Sequence, residues 1–268
     1  MIKKLFLIVL LLFAVFACSI YKQDGSKLFE SVKGNNYKEI DEFVKKGGNI
    51  NIKNEKGETV LWDAVRSNDV EMVRYLISKG SDVVTKRKNG RSLVENFITL
   101  GWFRKNDSRI EEDVAKEIVM NIDDLNAAFE GYPPLCLLDG GVPLSIIKII
   151  VEKGADVNAD CGTGADKIPV LSVMVKFQTP EVIKYIIDQG ADVNKVDELG
   201  CTPLIWALLD FPSTDETVEK VKYLIEKGAD VNLRHEECES PMQKARITAL
   251  GESGEKIIKM LKEAGAEE

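Results

Sequence analysis

The 268-residue chain is 44% hydrophobic and 30% charged, with a formal net charge of -8, the make-up of an ordinary globular protein long enough to bury a sizeable core. Eight prolines and 7% aromatic residues argue against a long disordered region. The acidic balance repels phosphate backbones and speaks against a nucleic-acid partner.

The N-terminus has a character of its own. Met1-Ile2-Lys3-Lys4 is basic, and residues 5–17 are a run of thirteen apolar residues ending at Cys18. Thirteen is too few for a membrane-spanning helix, which needs about 20. A basic start before a short apolar run has the pattern of a secretory signal. Val15-Phe16-Ala17-Cys18 resembles the bacterial lipobox, in which the Cys is lipidated and becomes the mature N-terminus. The resemblance implies a signal peptide over 1–17, acylation at Cys18, a tether over 18–25, and export to a bacterial envelope membrane, on its periplasmic or surface side. An ordinary signal peptide cleaved nearby, or an uncleaved anchor, is the alternative. Loss of Lys3 and Lys4 would take the formal charge to about -10, so the body should not adhere to anionic lipid by charge.

From about residue 26 the chain repeats itself. Gly-Ala-Asp-Val-Asn occurs at Gly154–Asn158, Gly190–Asn194 and Gly228–Asn232, with looser copies at Gly47–Asn51 and Gly80–Val84. Each block closes the same script. In the clearest copy, Thr202-Pro203 starts a short apolar segment, a polar turn follows, and Val218, Val221, Leu224 and Ile225 fall on one predicted helix face. Thr can cap a helix start and Pro at the first position loses no hydrogen bond. Gly after a cationic last turn is a helix stop. Asp and Asn suit the turn because their side chains bond nearby backbone. Each unit is therefore helix, turn, helix, hairpin loop, which makes the fold all-α with a repeating architecture.

Thr202-Pro203-Leu204-Ile205-Trp206-Ala207 resembles the ankyrin repeat, whose signature reads Thr-Pro-Leu-His-x-Ala. Thr59-Val60-Leu61-Trp62-Asp63-Ala64 and Ser240-Pro241-Met242-Gln243-Lys244-Ala245 are weaker versions. The resemblance implies a solenoid of about seven units over 26–268. No unit keeps the signature His; Trp62, Cys136, Ile205 and Gln243 stand in its place. The third unit, about 87–126, is irregular: it carries an insertion around Trp102–Glu112 and its closing hairpin is expected near Asn121–Asn126. Extra residues at Asp139–Val142, Phe177–Thr179 and Phe211–Thr217 lengthen later turns.

Residues able to carry catalysis are few. His235 is the one His, on a loop beside Arg234, Glu236 and Glu237, and a general base needs a defined partner. Cys136, Cys161, Cys201 and Cys238 form no CxxC pair, which removes the usual zinc spacing. The expected compartment permits disulfides. Cys201 and Cys238 hold nearly equivalent hairpin positions, but stacked helical units lie about 10 Å apart and a disulfide needs Cα atoms within about 7 Å. That spacing weighs against the bridge without closing the question. Cys136 is expected on an inner helix as a small core residue. Acid pairs such as Asp123-Asp124 and Glu236-Glu237 sit on turns, not across a cleft. No enzyme, cofactor or metal site follows from this inventory.

Charge is unevenly placed. Arg74–Arg109 holds nine basic and three acidic residues, whereas Glu111–Asp139 holds eight acidic residues and one Lys. Such clusters either steer partners or neutralise each other. Ankyrin ligands touch hairpin tips and the concave face of the first helices. The resemblance thus marks Glu55, Lys56, Glu58, Arg66, Lys86, Lys88, Asn89, Arg91, Asp160, Glu198, Asp210 and Glu236 as candidate partner contacts. Trp102, beside Phe103 and Arg104, is a candidate interface anchor or an aromatic folded back over its turn. Trp62 and Trp206 fall at packing positions. The expectation is a membrane-anchored binding module or scaffold for a protein partner. Its alternative is an envelope inhibitor or immunity-type protein neutralising one toxin or hydrolase.

Overall fold

The computed structural model describes residues 25–96, 111–129, 131–138, 140–162, 167–209, 213–233, 235, 238–248 and 250–267. They fall into two compact bodies, residues 25–96 with 111–122, and residues 123–267. Residues 1–17, Cys18, Trp102, Asp210 and Glu236 lie outside the described residues.

The first body pairs helices α1 (25–33) with α2 (Tyr37–Lys45), and α3 (Val60–Arg66) with α4 (Val70–Ser78). A helical segment at 93–96 and α5 (Glu112–Met120) complete it. Leu61, Trp62, Val65, Met72, Val73 and Leu76 are fully buried. Their three- and four-residue spacing is what lets two short helices close on one another. Asn36 and Asp69 cap α2 and α4 through their side chains, satisfying N–H groups that a helix start leaves free.

The second body begins with α6 (Leu125–Ala128), a 3-10 helix at Pro134–Leu137 and α7 (Leu144–Glu152). The turn expected near Asn121–Asn126 occupies residues 121–124, and α6 takes up the end of that stretch. No Gly occurs over 121–129 to take the left-handed turn that closes the other units. A two-residue hairpin follows, β1 (Asp160–Cys161) antiparallel to β2 (Ile168–Pro169). The helix pairs α8 (Val170–Phe177) with α9 (Pro180–Asp188), α10 (Pro203–Ala207) with α11 (Asp215–Glu226), and α12 (Pro241–Thr248) with α13 (Gly251–Glu263) complete the body. On α11 the buried stripe is Thr217, Lys220, Val221 and Leu224, while Val218 and Ile225 are half-buried. The stripe is turned slightly from the one spacing predicts, and it includes Lys220, whose Nζ donates to the Val175 carbonyl, 3.0 Å away in the neighbouring unit. Among the described residues no helix is long and apolar enough to cross a membrane.

The recurrent pentapeptide explains itself in three dimensions. Its Gly ends a helix in the left-handed region: Gly190 has φ +96°, its N–H donates to Ile187 O, and the Ala191 N–H donates to Ile186 O. Its Asp accepts the N–H of the Asn two residues on, at 2.8–2.9 Å for Asp156, Asp192 and Asp230. Its Asn does something different and reaches the next unit. Asn158 donates to Gly190 O at 2.9 Å and accepts from Asp192 N at 2.8 Å. Asn194 does the same with Gly228 and Asp230, and Asn232 with Gly265 and Glu267. In the first body Asn51 makes the same pair with Gly80 and Asp82. Val84 occupies the Asn position of the following copy and can make neither bond.

Outer helices are tied by a second recurring device. Tyr75 Oη donates to Asp41 at 2.8 Å, and Lys79 Nζ meets the same carboxylate at 2.7 Å. Tyr223, Lys227 and Asp188 repeat the arrangement at 2.8 and 2.6 Å. Burial first, and the Asp41 carboxylate second, push the Tyr75 phenol up to about 12.

Candidate interaction surface

In the first body two successive hairpins meet edge to edge. Asn54 shapes one of them: its side-chain oxygen accepts from Lys56 N and Glu58 N at 2.9 and 3.0 Å. Arg87 N donates to Arg91 O at 2.9 Å and shapes the next. Lys88 N then donates to Lys56 O at 3.1 Å, and Lys53 Nζ donates to Lys86 O at 3.0 Å. A Cβ on Gly57 would sit 2.7 Å from Lys88 N, so only glycine allows the tips to come this close.

Lys56, Glu58, Arg66, Arg87, Lys88 and Asn89 line one recess at this seam. Glu58 is its hub and is 2% exposed, which corrects the expectation that it reaches a partner. Its carboxylate takes Arg66 at 3.0 Å and Arg87 at 2.5 Å. Burial would raise the Glu58 carboxyl, but Arg66, Arg87 and Asn54 together outweigh burial and hold it below its ordinary value of 4.5. Arg87 lies 4.2 Å above the ring of Trp62. Trp62, fully buried as its packing position implies, donates through Nε1 to Thr85 Oγ1 at 2.9 Å. It stands at the signature His position and binds the next hairpin.

Arg87 was not among the expected contacts. The Lys86-Arg87-Lys88 run announces charge, but the alternation of an extended segment decides which side chain turns inward. Thr85 is buried, Lys86 exposed, Arg87 half-buried and Lys88 exposed. Glu55, Lys56, Arg66, Lys86, Lys88, Asn89 and Arg91 are all exposed.

In the second body Asp197, buried in its hairpin, accepts from Leu199 N and Cys201 N, and from Trp206 Nε1 at 2.8 Å. Glu198 is exposed on that turn. Asp160 is half-buried and paired with Lys195 at 2.6 Å. Two disulfides join consecutive units, Cys136 to Cys161 and Cys201 to Cys238, with Cα separations of 5.3 and 5.5 Å. Cys136 is thus a cross-link on the 3-10 helix, not a packing residue on an inner helix. The spacing argument against Cys201–Cys238 fails because it used the distance between helices, whereas hairpin tips converge. A Cβ on Gly200 would lie 2.2 Å from the His235 side chain, which shows how tightly these tips abut. His235 itself is exposed. Among the described residues no group of three or more His, Cys, Asp or Glu could hold a metal ion.

Helix pairs joined by hairpins, each Asn bonding the next unit, define a repeat protein. The family model described as ankyrin repeats matches residues 4–91 and 135–235 in three copies, and the chain belongs to that family. Most of the irregular third unit falls in the unmatched stretch 92–134. The crystal structure of the human ASB11 ankyrin repeat domain is similar, with a TM-score of 0.56 and 16% identity. That similarity covers 90% of this chain and 98% of that one. No curated protein matches.

Proposed function

We propose that this protein is a lipid-anchored scaffold of a bacterial envelope that holds a protein partner through its hairpin tips. Ankyrin repeats imply a protein-binding scaffold, and the membrane and envelope parts go further. The observation that carries binding at the tips is the set of exposed polar side chains there, Lys56, Lys88, Asn89 and Arg91 in one body and Glu198 in the other. Beneath them, Asn54 and Asp197 accept from backbone N–H groups of the tips, and Glu58 holds the Arg66 and Arg87 side chains.

Export is supported by the cysteines. Four of the five are joined in two bridges, and structural disulfides persist in oxidising compartments. The fifth is Cys18, at the lipobox-like site. Acyl chains there would hold the protein to a bilayer, since each buried methylene contributes about 0.8 kcal/mol and two or more chains hold firmly.

Crosslinking in intact cells, followed by purification of the tagged full chain, tests the binding reading. One or a few discrete proteins should be recovered, and replacing Lys56, Asn89 and Glu198 together should remove them without unfolding the chain. Recovery unchanged by that replacement would move binding away from the tips.

A further inference from the structure

We propose that the recess between the two hairpins of the first body binds a carboxylate-rich, extended segment of the protein partner. The proposal rests on the reading that hairpin tips contact protein, and adds the chemistry of the contact.

Three observations carry it. First, Lys56, Lys88 and Arg91 are exposed, and among the described residues their side chains have no ion-pair partner. Several cations on outer helices of the same body are matched, as in Lys79 with Asp41, Arg74 with Glu117 and Lys116 with Glu112, and what marks the seam is the grouping of three unmatched ones on two adjoining hairpins. Second, the one acid lining the recess, Glu58, is buried under Arg66 and Arg87. Its charge is already spent on holding those guanidiniums in place, so it presents no repulsion to an incoming carboxylate. Arg66 is itself held by two carboxylates, Glu58 at 3.0 Å and Asp63 at 2.7 Å, so the cations offered to an incoming anion are Lys56 and Lys88 on the recess and Arg91 beside it. Third, the sign of this site opposes that of the chain, whose net charge is -8. An acidic segment is repelled elsewhere and steered here, and the contrast confers orientation as well as affinity.

The recess does not suit nucleic acid. Base stacking needs an open aromatic face, and Trp62 is fully buried with Arg87 lying over its ring. A concave seam also fits individual side-chain carboxylates better than the flat plane of lipid headgroups.

The test is fluorescence anisotropy of a short fluorescein-labelled peptide rich in Glu and Asp, titrated with the full chain. Binding should weaken with salt, as surface charge contacts do. It should fall about tenfold or more in the Lys56→Glu/Lys88→Glu variant, while the melting temperature stays unchanged because these side chains hold nothing in place. Lys56→Ala/Lys88→Ala serves as a second, milder variant, with a smaller loss expected. Equal binding to wild type and both variants, equal binding of a Gln/Asn version of the peptide, or binding only to phosphatidylglycerol vesicles would each overturn the proposal. If the cellular partner is still crosslinked through the tips when the peptide fails, the acidic chemistry is wrong and tip binding stands. If both fail, the underlying reading fails.

Discussion

Glu58 shows what one residue can and cannot reveal before its neighbours are placed. Its position in the repeat marks it as a tip residue, yet two guanidiniums enclose it, and one of them, Arg87, comes from the next hairpin. No local pattern encodes that contact. Removing one member of a buried ion pair leaves the others uncompensated, so Glu58→Ala should cost about 3 kcal/mol, read by urea denaturation. The pH dependence has a definite sign. The folded-state carboxyl lies below its ordinary value of 4.5, so its stabilisation is complete above that value and is lost as pH falls through the folded value. Glu58→Gln should flatten that part of the acid limb of stability against pH; an identical acid limb would show that the ion pairs contribute nothing.

At the scale of elements, the helix stops and starts were largely legible, because they are written in neighbouring residues. Thr202 caps α10, accepting from Ile205 N, as the Thr-Pro pair suggests. Ser240 and Gln243 bond each other's backbone in the last unit. Gly190 carries the positive φ that its place after α9 implies. Gly190→Val should lower stability by about 1–3 kcal/mol through that conformation alone, since a Cβ there meets nothing within 4 Å. Unchanged melting would refute the helix-stop assignment. The pentapeptide Asn was only half legible: a turn residue was evident, but not a bond to a unit thirty-odd residues away. Asn194→Ala should cost about 1–2 kcal/mol from two lost hydrogen bonds, and Asn194→Asp should not restore it, because the donor to Gly228 O is gone. The disulfides were not legible, since interhelical spacing says nothing of converging tips. They close 25- and 37-residue separations, and chain entropy assigns such loops about 3–4 kcal/mol each. A reductant should therefore lower the melting temperature, and Cys201→Ser/Cys238→Ser should remove part of that sensitivity. A wild-type protein indifferent to reductant would argue against bridging.

For the molecule as a whole, an array of this kind gains stability from the seams between units, because one helix pair cannot bury its own apolar face. The Asn bonds, the Tyr–Lys–Asp groups and the disulfides all lie on those seams. They hold the hairpin tips steady as a surface. Membrane attachment is a separate part of the proposal, and labelled palmitate should be incorporated in wild type but not in Cys18→Ser. Incorporation that survives the substitution would rule out Cys18 as the acylated residue.

Binding by the tips is tested most directly by a photo-reactive amino acid placed in turn at Asn89 and Glu198, and at Glu71 and Glu226 on outer helices, in cells making the full chain. A discrete adduct from Asn89 or Glu198, with none from Glu71 or Glu226, is the expected result. Adducts arising only from the outer helices would contradict the proposed binding surface.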